Sequence, residues 1–131
     1  MPYKIKLSDQ QWEERLTPEQ YEICRNKGTE LPYSGKYINT KATGTYCCLC
    51  CGNALFHSEK KFDSGTGWPS FWDPIDVESV STQEDLSLSV VRTEVVCKKC
   101  DSHLGHVFED GPQPTGLRYC INSVSLILEE D

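Results

Sequence analysis

Arg118, Cys120 and Asn122 alternate within GLRYCINS, and their types suit chemistry at sulfur. Leu117 to Val124 is rich in aromatic and β-branched residues and is expected to form a strand. Alternate side chains of a strand leave the same face, so this one sets a guanidinium, a thiol and a carboxamide in one row. A thiol attacks only as thiolate, and a fixed cation nearby lowers its pKa. A carboxamide can orient or polarise an oxygen. Taken alone, the pattern also describes a half-buried strand whose cysteine is a small hydrophobe. His103 and His106, in HLGHVFEDG, are two of only three histidines. A protonated imidazole can donate to an oxygen leaving group near neutral pH; the alternative is a pair satisfied by backbone or solvent.

Eight cysteines suit either a secreted disulfide framework or metal plus reactive thiols in a reducing compartment. Spacing favours metal. Cys48-x-x-Cys51 and Cys97-x-x-Cys100 supply four soft thiolates, the donor set of a closed tetrahedral zinc site with no place for water. Such a site is structural. With 45 residues between Cys51 and Cys97, it would staple two halves of the chain together. CCLCC also contains Cys47-x-x-Cys50; Gly52 after Cys51 favours the first register, because glycine suits the tight turn. A local site of Cys97, Cys100, His103 and His106 is the other alternative, and it would strand Cys48 and Cys51.

Phe62 to Pro74, FDSGTGWPSFWDP, combines two glycines and two prolines with Trp68, Phe71 and Trp72. It is expected to be a rigid loop that either packs under itself or lines a site for an apolar ligand.

These residues need elements to hold them. Ser8-Asp9 can cap a short helix through about Leu16. Thr17-Pro18-Glu19-Gln20 starts a second, which is expected to run to about Lys27 and stop at Gly28. Beyond Thr29, turn-forming clusters separate short runs at Gly44 to Cys48, Ala54 to His57, Leu86 to Val96, Leu104 to Phe108 and Leu117 to Leu128. Leu86, Leu88 and Val90 alternate with Ser87, Ser89 and Val91 as in a half-buried strand. No long helical pattern intervenes, so an antiparallel β body over about 29–131 is expected, after a helical segment at about 8–28. The length fits one domain. A net charge of −7 argues against nucleic acid or an anionic membrane as partner. No apolar run approaches the roughly 20 residues of a membrane span, and the first 16 residues lack a secretory core. A cytoplasmic protein is expected, with monomer as the default.

Four segments together resemble the B-type methionine sulfoxide reductases. They are LTPEQYEICRNKGTE, CLCCGNALF, KFDSGTGWPSFWDP and CKKCDSHLGHVFEDGPQPTGLRYCINS, spanning roughly Leu16 to Ser123. The resemblance implies a mainly β fold, two antiparallel sheets around a shared core with short N-terminal helices, and one structural zinc per chain held by Cys48, Cys51, Cys97 and Cys100. It makes Cys120 the nucleophile that reduces methionine-R-sulfoxide in oxidised proteins, becoming a sulfenic acid. Trp68 and Phe108 become the substrate-binding residues, with Trp68 the wall for the S-methyl group. His103, His106 and Asn122 line the oxygen side, and Arg118 supports the thiolate. Many family members carry a recycling cysteine where this chain has Thr66. Cys24, Cys47 and Cys50 remain as candidate resolving thiols. Cys47 and Cys50 neighbour the metal turn, which the resemblance places opposite the active site, so Cys24 is the expected one, with thioredoxin or a similar thiol as reductant; direct reduction by a small thiol is the alternative. Two rival readings are a zinc-ribbon-like binding module, which gives no reason for the shared face of Arg118, Cys120 and Asn122, and a C-x-x-C oxidoreductase, which lacks its usual βαβ setting.

Overall fold

The computed structural model describes residues 7–86 and 91–130. The first two elements are helices α1 (Asp9–Arg15) and α2 (Pro18–Arg25). Both begin in reciprocal capping boxes. Ser8 and Gln11 satisfy each other's backbone N–H, and Thr17 and Gln20 repeat the device, which fixes two helix starts from four residues of local sequence. Helix α2 ends two residues earlier than expected. Lys27, not Gly28, takes the left-handed conformation (φ 61°), and the Gly28 N–H closes onto the Glu22 carbonyl.

Among the described residues nine strands follow: β1 (Gly44–Cys48), β2 (Ala54–His57), β3 (Lys61–Phe62), β4 (Ser70–Phe71), β5 (Val80–Asp85), β6 (Arg92–Cys97), β7 (His103–Phe108), β8 (Arg118–Ile121) and β9 (Leu126–Glu130). They form a three-stranded sheet in the order β2-β1-β9 and a six-stranded sheet in the order β3-β4-β8-β7-β6-β5. Every pairing is antiparallel. The protein is therefore mainly β with two antiparallel sheets and short N-terminal helices, as expected.

Two strand expectations need correction. The run Leu117 to Leu128 is not one strand: a 3-10 turn at Ser123–Ser125 divides it, and β8 and β9 belong to different sheets. The run Leu86 to Val96 yields strand only from Arg92, and residues 87–90 of the expected alternation lie outside the described residues. Its partner β5, of sequence VSTQED, was not expected, because polar residues occupy both of its faces.

Aromatic rings join the sheets. Phe71 of β4 stacks on Phe56 of β2 at 4.5 Å and meets Tyr46 of β1 edge-on at 5.2 Å, while Tyr119 of β8 tilts against Phe56 at 5.6 Å. All four rings are buried. Such pairs add about 0.5–1.5 kcal/mol each beyond their burial. On the helical side, Arg25 lies 4.6 Å over the buried Trp12 ring and donates to the Cys100 carbonyl at 2.8 Å, which ties α1 and α2 to the second cysteine pair.

Phe71→Ala removes the ring common to both sheets. We expect a loss of about 3–5 kcal/mol, read as a lower urea midpoint with an unchanged slope.

Candidate active site

Cys120 lies on β8 between two neighbours, opposite Ser70 of β4 and His106 of β7. Its side chain lines a cavity of about 240 Å³. Arg118 and Asn122 line the same cavity, so the alternating row is realised. Trp68, Phe108, His106, Thr66, Thr29 and Arg92 complete most of the wall. Gly105 is there by necessity: a Cβ at that position would collide with the Cys120 carbonyl.

Charge around the thiol is organised by pairs. Burial pushes the Cys120 thiol above its ordinary value, and the Thr66 hydroxyl and Arg118 charge pull it back only in part. Arg118 is itself engaged. Its Nε and Nη2 donate to the two Asp110 oxygens at 2.8 and 3.1 Å, and its guanidinium sits 4.5 Å over the Phe108 ring. The Asp110 carboxylate raises Arg118 above its ordinary value, so the cation persists at every working pH.

Each histidine has its own carboxylate. His106 Nε2 is 2.7 Å from Asp85 Oδ2, which also takes Arg92 Nη2 at 3.3 Å. His103 Nδ1 is 2.7 Å from Glu94 Oε2. Glu94 is buried, yet hydrogen bonds from Gln83, His103 and Lys27 outweigh that burial and hold it below its ordinary value. Burial lowers the pKa of His103 despite Glu94, which disfavours its protonated form. The two rings meet edge-on at 5.5 Å. Only His106 lines the Cys120 cavity; His103 faces a second depression shared with Glu94, Lys27 and Cys24.

Asn122 and Trp68 are locked through Glu30. The Glu30 N–H donates to Asn122 Oδ1 at 3.1 Å, and the Glu30 carbonyl accepts from the Trp68 indole at 3.0 Å. The Glu30 carboxylate accepts from the Val124 N–H at 3.0 Å. Asn122 Nδ2 donates one hydrogen to the Leu104 carbonyl at 3.1 Å and keeps a second for the cavity.

The second cluster is sulfur alone. The Sγ atoms of Cys48, Cys51, Cys97 and Cys100 all lie within 4.8 Å of one another, with Cys48–Cys100 at 3.7 Å and Cys51–Cys97 at 3.6 Å. A tetrahedral ion with ~2.3 Å bonds to sulfur needs separations of about 3.8 Å, so the four donors fit one metal. The two turns are built alike. The residue after each second cysteine has positive φ, Gly52 at 80° and Asp101 at 61°, and its N–H returns to the carbonyl of the first cysteine at 2.8 and 2.9 Å. Cys47 instead contacts Glu129 at 3.5 Å, and Cys50 contacts Ser102 at 3.6 Å.

A model of the SelR domain matches residues 16–130. The peptide methionine sulfoxide reductase MsrB of Hahella chejuensis is 60% identical over 123 residues, covering 94% of this chain and 88% of that protein. Its namesake in Acinetobacter baylyi is 56% identical over 128 residues, covering 98% of this chain and 92% of that protein. The chain belongs to the SelR family, the B-type methionine sulfoxide reductases.

In this SelR-family chain the remaining expected residue stands apart. Cys24 is buried on α2 with its sulfur 3.7 Å from Ser125 Oγ and beside Cys50; it does not line the Cys120 cavity. Glu30, Asp85, Arg92, Glu94 and Asp110 escaped the sequence reading. Asp85 and Glu94 carried a signal: in paired strands, Asp85–Arg92 and Gln83–Glu94 are register partners, and only knowledge of β5 makes that pattern visible.

The two cysteine registers separate on substitution. Cys97→Ser should lose the bound metal and lower the melting temperature, whereas Cys47→Ser should keep one metal per chain by elemental analysis.

Proposed function

We propose that this protein reduces methionine-R-sulfoxide in oxidised polypeptides to methionine, with Cys120 as the attacking sulfur. The observation that carries this is a half-buried thiol in a SelR-family chain, sharing one cavity with an apolar wall and hydrogen-bond donors. Trp68 and Phe108 take the S-methyl group. His106 and the free hydrogen of Asn122 take the sulfoxide oxygen. A sulfoxide placed this way presents its sulfur to Cys120 in one configuration only, which selects an epimer.

The sulfoxide oxygen leaves badly unless protonated. With Nε2 held by Asp85, His106 presents Nδ1 as its other nitrogen, and this pair is the proposed proton source. Cys120 thiolate, the sulfoxide and one proton give methionine and a Cys120 sulfenic acid; two electrons pass from the cysteine sulfur to the methionine sulfur. His103, outside the cavity lining, buttresses His106. Two thiols then close the cycle. The first condenses with the sulfenic acid, releasing water and forming a disulfide; the second reduces that disulfide and returns Cys120. Direct attack by an external thiol of the thioredoxin type fits the resting geometry. Recycling through Cys24 would require α2 to lift from the Ser123–Ser125 turn.

Zinc is the proposed occupant of the four-cysteine cluster, by its all-thiolate donor set and spacing. Closed by four sulfurs, it would supply cross-linking of the fold.

Separate R and S epimers of a blocked methionine sulfoxide, assayed with dithiothreitol, test the reaction. We expect turnover of R alone and none in Cys120→Ser; turnover of S alone would reject the assignment. Asp85→Asn should lower kcat by about 10²-fold with little change in KM. Cys24→Ser should leave thioredoxin-supported turnover unchanged, and its loss would move recycling to Cys24.

A further inference from the structure

The loop that supplies Trp68 also delivers a file of hydroxyl groups to Cys120. Thr66 Oγ1 is 3.9 Å from Cys120 Sγ and 2.7 Å from Ser64 Oγ. Ser64 Oγ is 2.7 Å from Ser70 Oγ, which is 3.2 Å from the Trp68 carbonyl oxygen. Ser70 is fully buried and is the β4 register partner of Cys120. Asp63 accepts from the Gly65 N–H at 3.0 Å, and Gly65 and Gly67 have φ of 72° and 94°, so the turn carrying Thr66 is fixed by its own backbone.

Counting hydrogens sets the direction of the file. The Trp68 carbonyl only accepts, so Ser70 donates to it. Each hydroxyl has a single hydrogen. Ser70, having given its own, accepts from Ser64; Ser64 accepts from Thr66; and Thr66 accepts from the Cys120 thiol. A thiolate has no hydrogen to give. The order then reverses: Thr66 turns its hydrogen to sulfur, Ser64 donates to Thr66, and Ser70 donates to Ser64. Three hydroxyl rotations accomplish this, and no covalent bond changes within the file. The thiol proton itself passes to solvent.

We propose that Thr66 is a catalytic residue whose hydroxyl donates to the Cys120 thiolate, with Ser64, backed by Ser70, accepting that hydrogen while the thiol is protonated and releasing it when the thiolate forms. This rests on the reading of Cys120 as the attacking sulfur. Arg118 also acts on the sulfur, through its charge and a hydrogen bond, while its Nε and Nη2 are held by Asp110. Hydrogen bonding to the charged form favours it, and the Thr66 hydroxyl is the largest single influence that pulls the half-buried thiol down, beside the charge and the hydrogen bond of Arg118. The charged or titratable groups around the sulfur are Arg118 on β8, His106 on β7, Arg92 on β6 and Glu30 from the segment after α2. None is altered by a change at residue 66.

The test is the pH dependence of iodoacetamide alkylation at Cys120, read on its own peptide by mass spectrometry, together with single-turnover reduction of the R sulfoxide. Thr66→Val should move the alkylation midpoint up by about one pH unit and slow single turnover at pH 7 about tenfold, as a unit of pKa implies. Thr66→Ser should restore both to within about twofold of the unsubstituted protein, since the hydroxyl returns. Ser64→Ala frees the Thr66 hydrogen for sulfur and should leave the midpoint unchanged or lower it. An unshifted midpoint in Thr66→Val, or a rise in Ser64→Ala as large as in Thr66→Val, overturns the proposal. Alkylation reports on the sulfur whether or not the protein reduces a sulfoxide, so failure here is distinct from failure of the proposed reaction.

Discussion

Four cysteine sulfurs within 4.8 Å of one another are the constraint from which the rest of the structure hangs. As thiolates they would repel strongly at such distances, and a shared cation would turn that repulsion into a clamp. Its placement gives it reach. Cys48 ends β1 of the small sheet and Cys97 ends β6 of the large one, so a metal held there would close the long intervening stretch of chain and limit its freedom when unfolded. Strand β7 departs from the second turn and carries both histidines. Strand β9 lies along β1, and β8 with Cys120 reaches it through the Ser123–Ser125 turn.

That turn is where the clamp meets the site. The Ser125 carbonyl accepts from the Leu49 N–H in the first cysteine turn, and the Ser125 hydroxyl donates to the His103 carbonyl on β7. Two residues earlier Ser123 accepts from the Tyr37 N–H, and Asn122 joins Leu104 to Glu30. Polar groups buried this densely are costly unless satisfied; paired, they specify one arrangement. The cavity around Cys120 thus inherits its shape from hydrogen bonds as much as from apolar packing.

What could be read from sequence was whatever a few adjacent residues encode. Ser8 with Gln11, Thr17 with Gln20, the two C-x-x-C turns and the alternation of Arg118, Cys120 and Asn122 each carry their structure locally. The aromatic rings of the glycine–tryptophan loop divided between two roles: Phe71 went to the core and Trp68 to the cavity. The missed features are relations across the chain. Nothing in VSTQED reveals a strand until Arg92 and Glu94 lie beside it. Asp85 and Glu94 sit 21 and 9 residues from the histidines they hold. The split between β8 and β9 depends on contacts from Tyr37, Leu49 and Glu30, so a run of strand-forming residues concealed a corner. Cys24 was judged by its chemistry, and its position follows from α2 packing on that same corner.

Strand β8 is hydrogen-bonded on both sides, by β4 and by β7. An interior strand cannot slide or swing out without breaking both ladders, so the Cys120 sulfur is held at one place in the sheet. Traffic in the cycle therefore belongs to its visitors. In the proposed cycle the oxidised side chain would come in, the product would leave, and a reducing thiol would have to reach the same sulfur. Two partners of one fixed sulfur would exclude each other, which would make their order of arrival a property of the sheet.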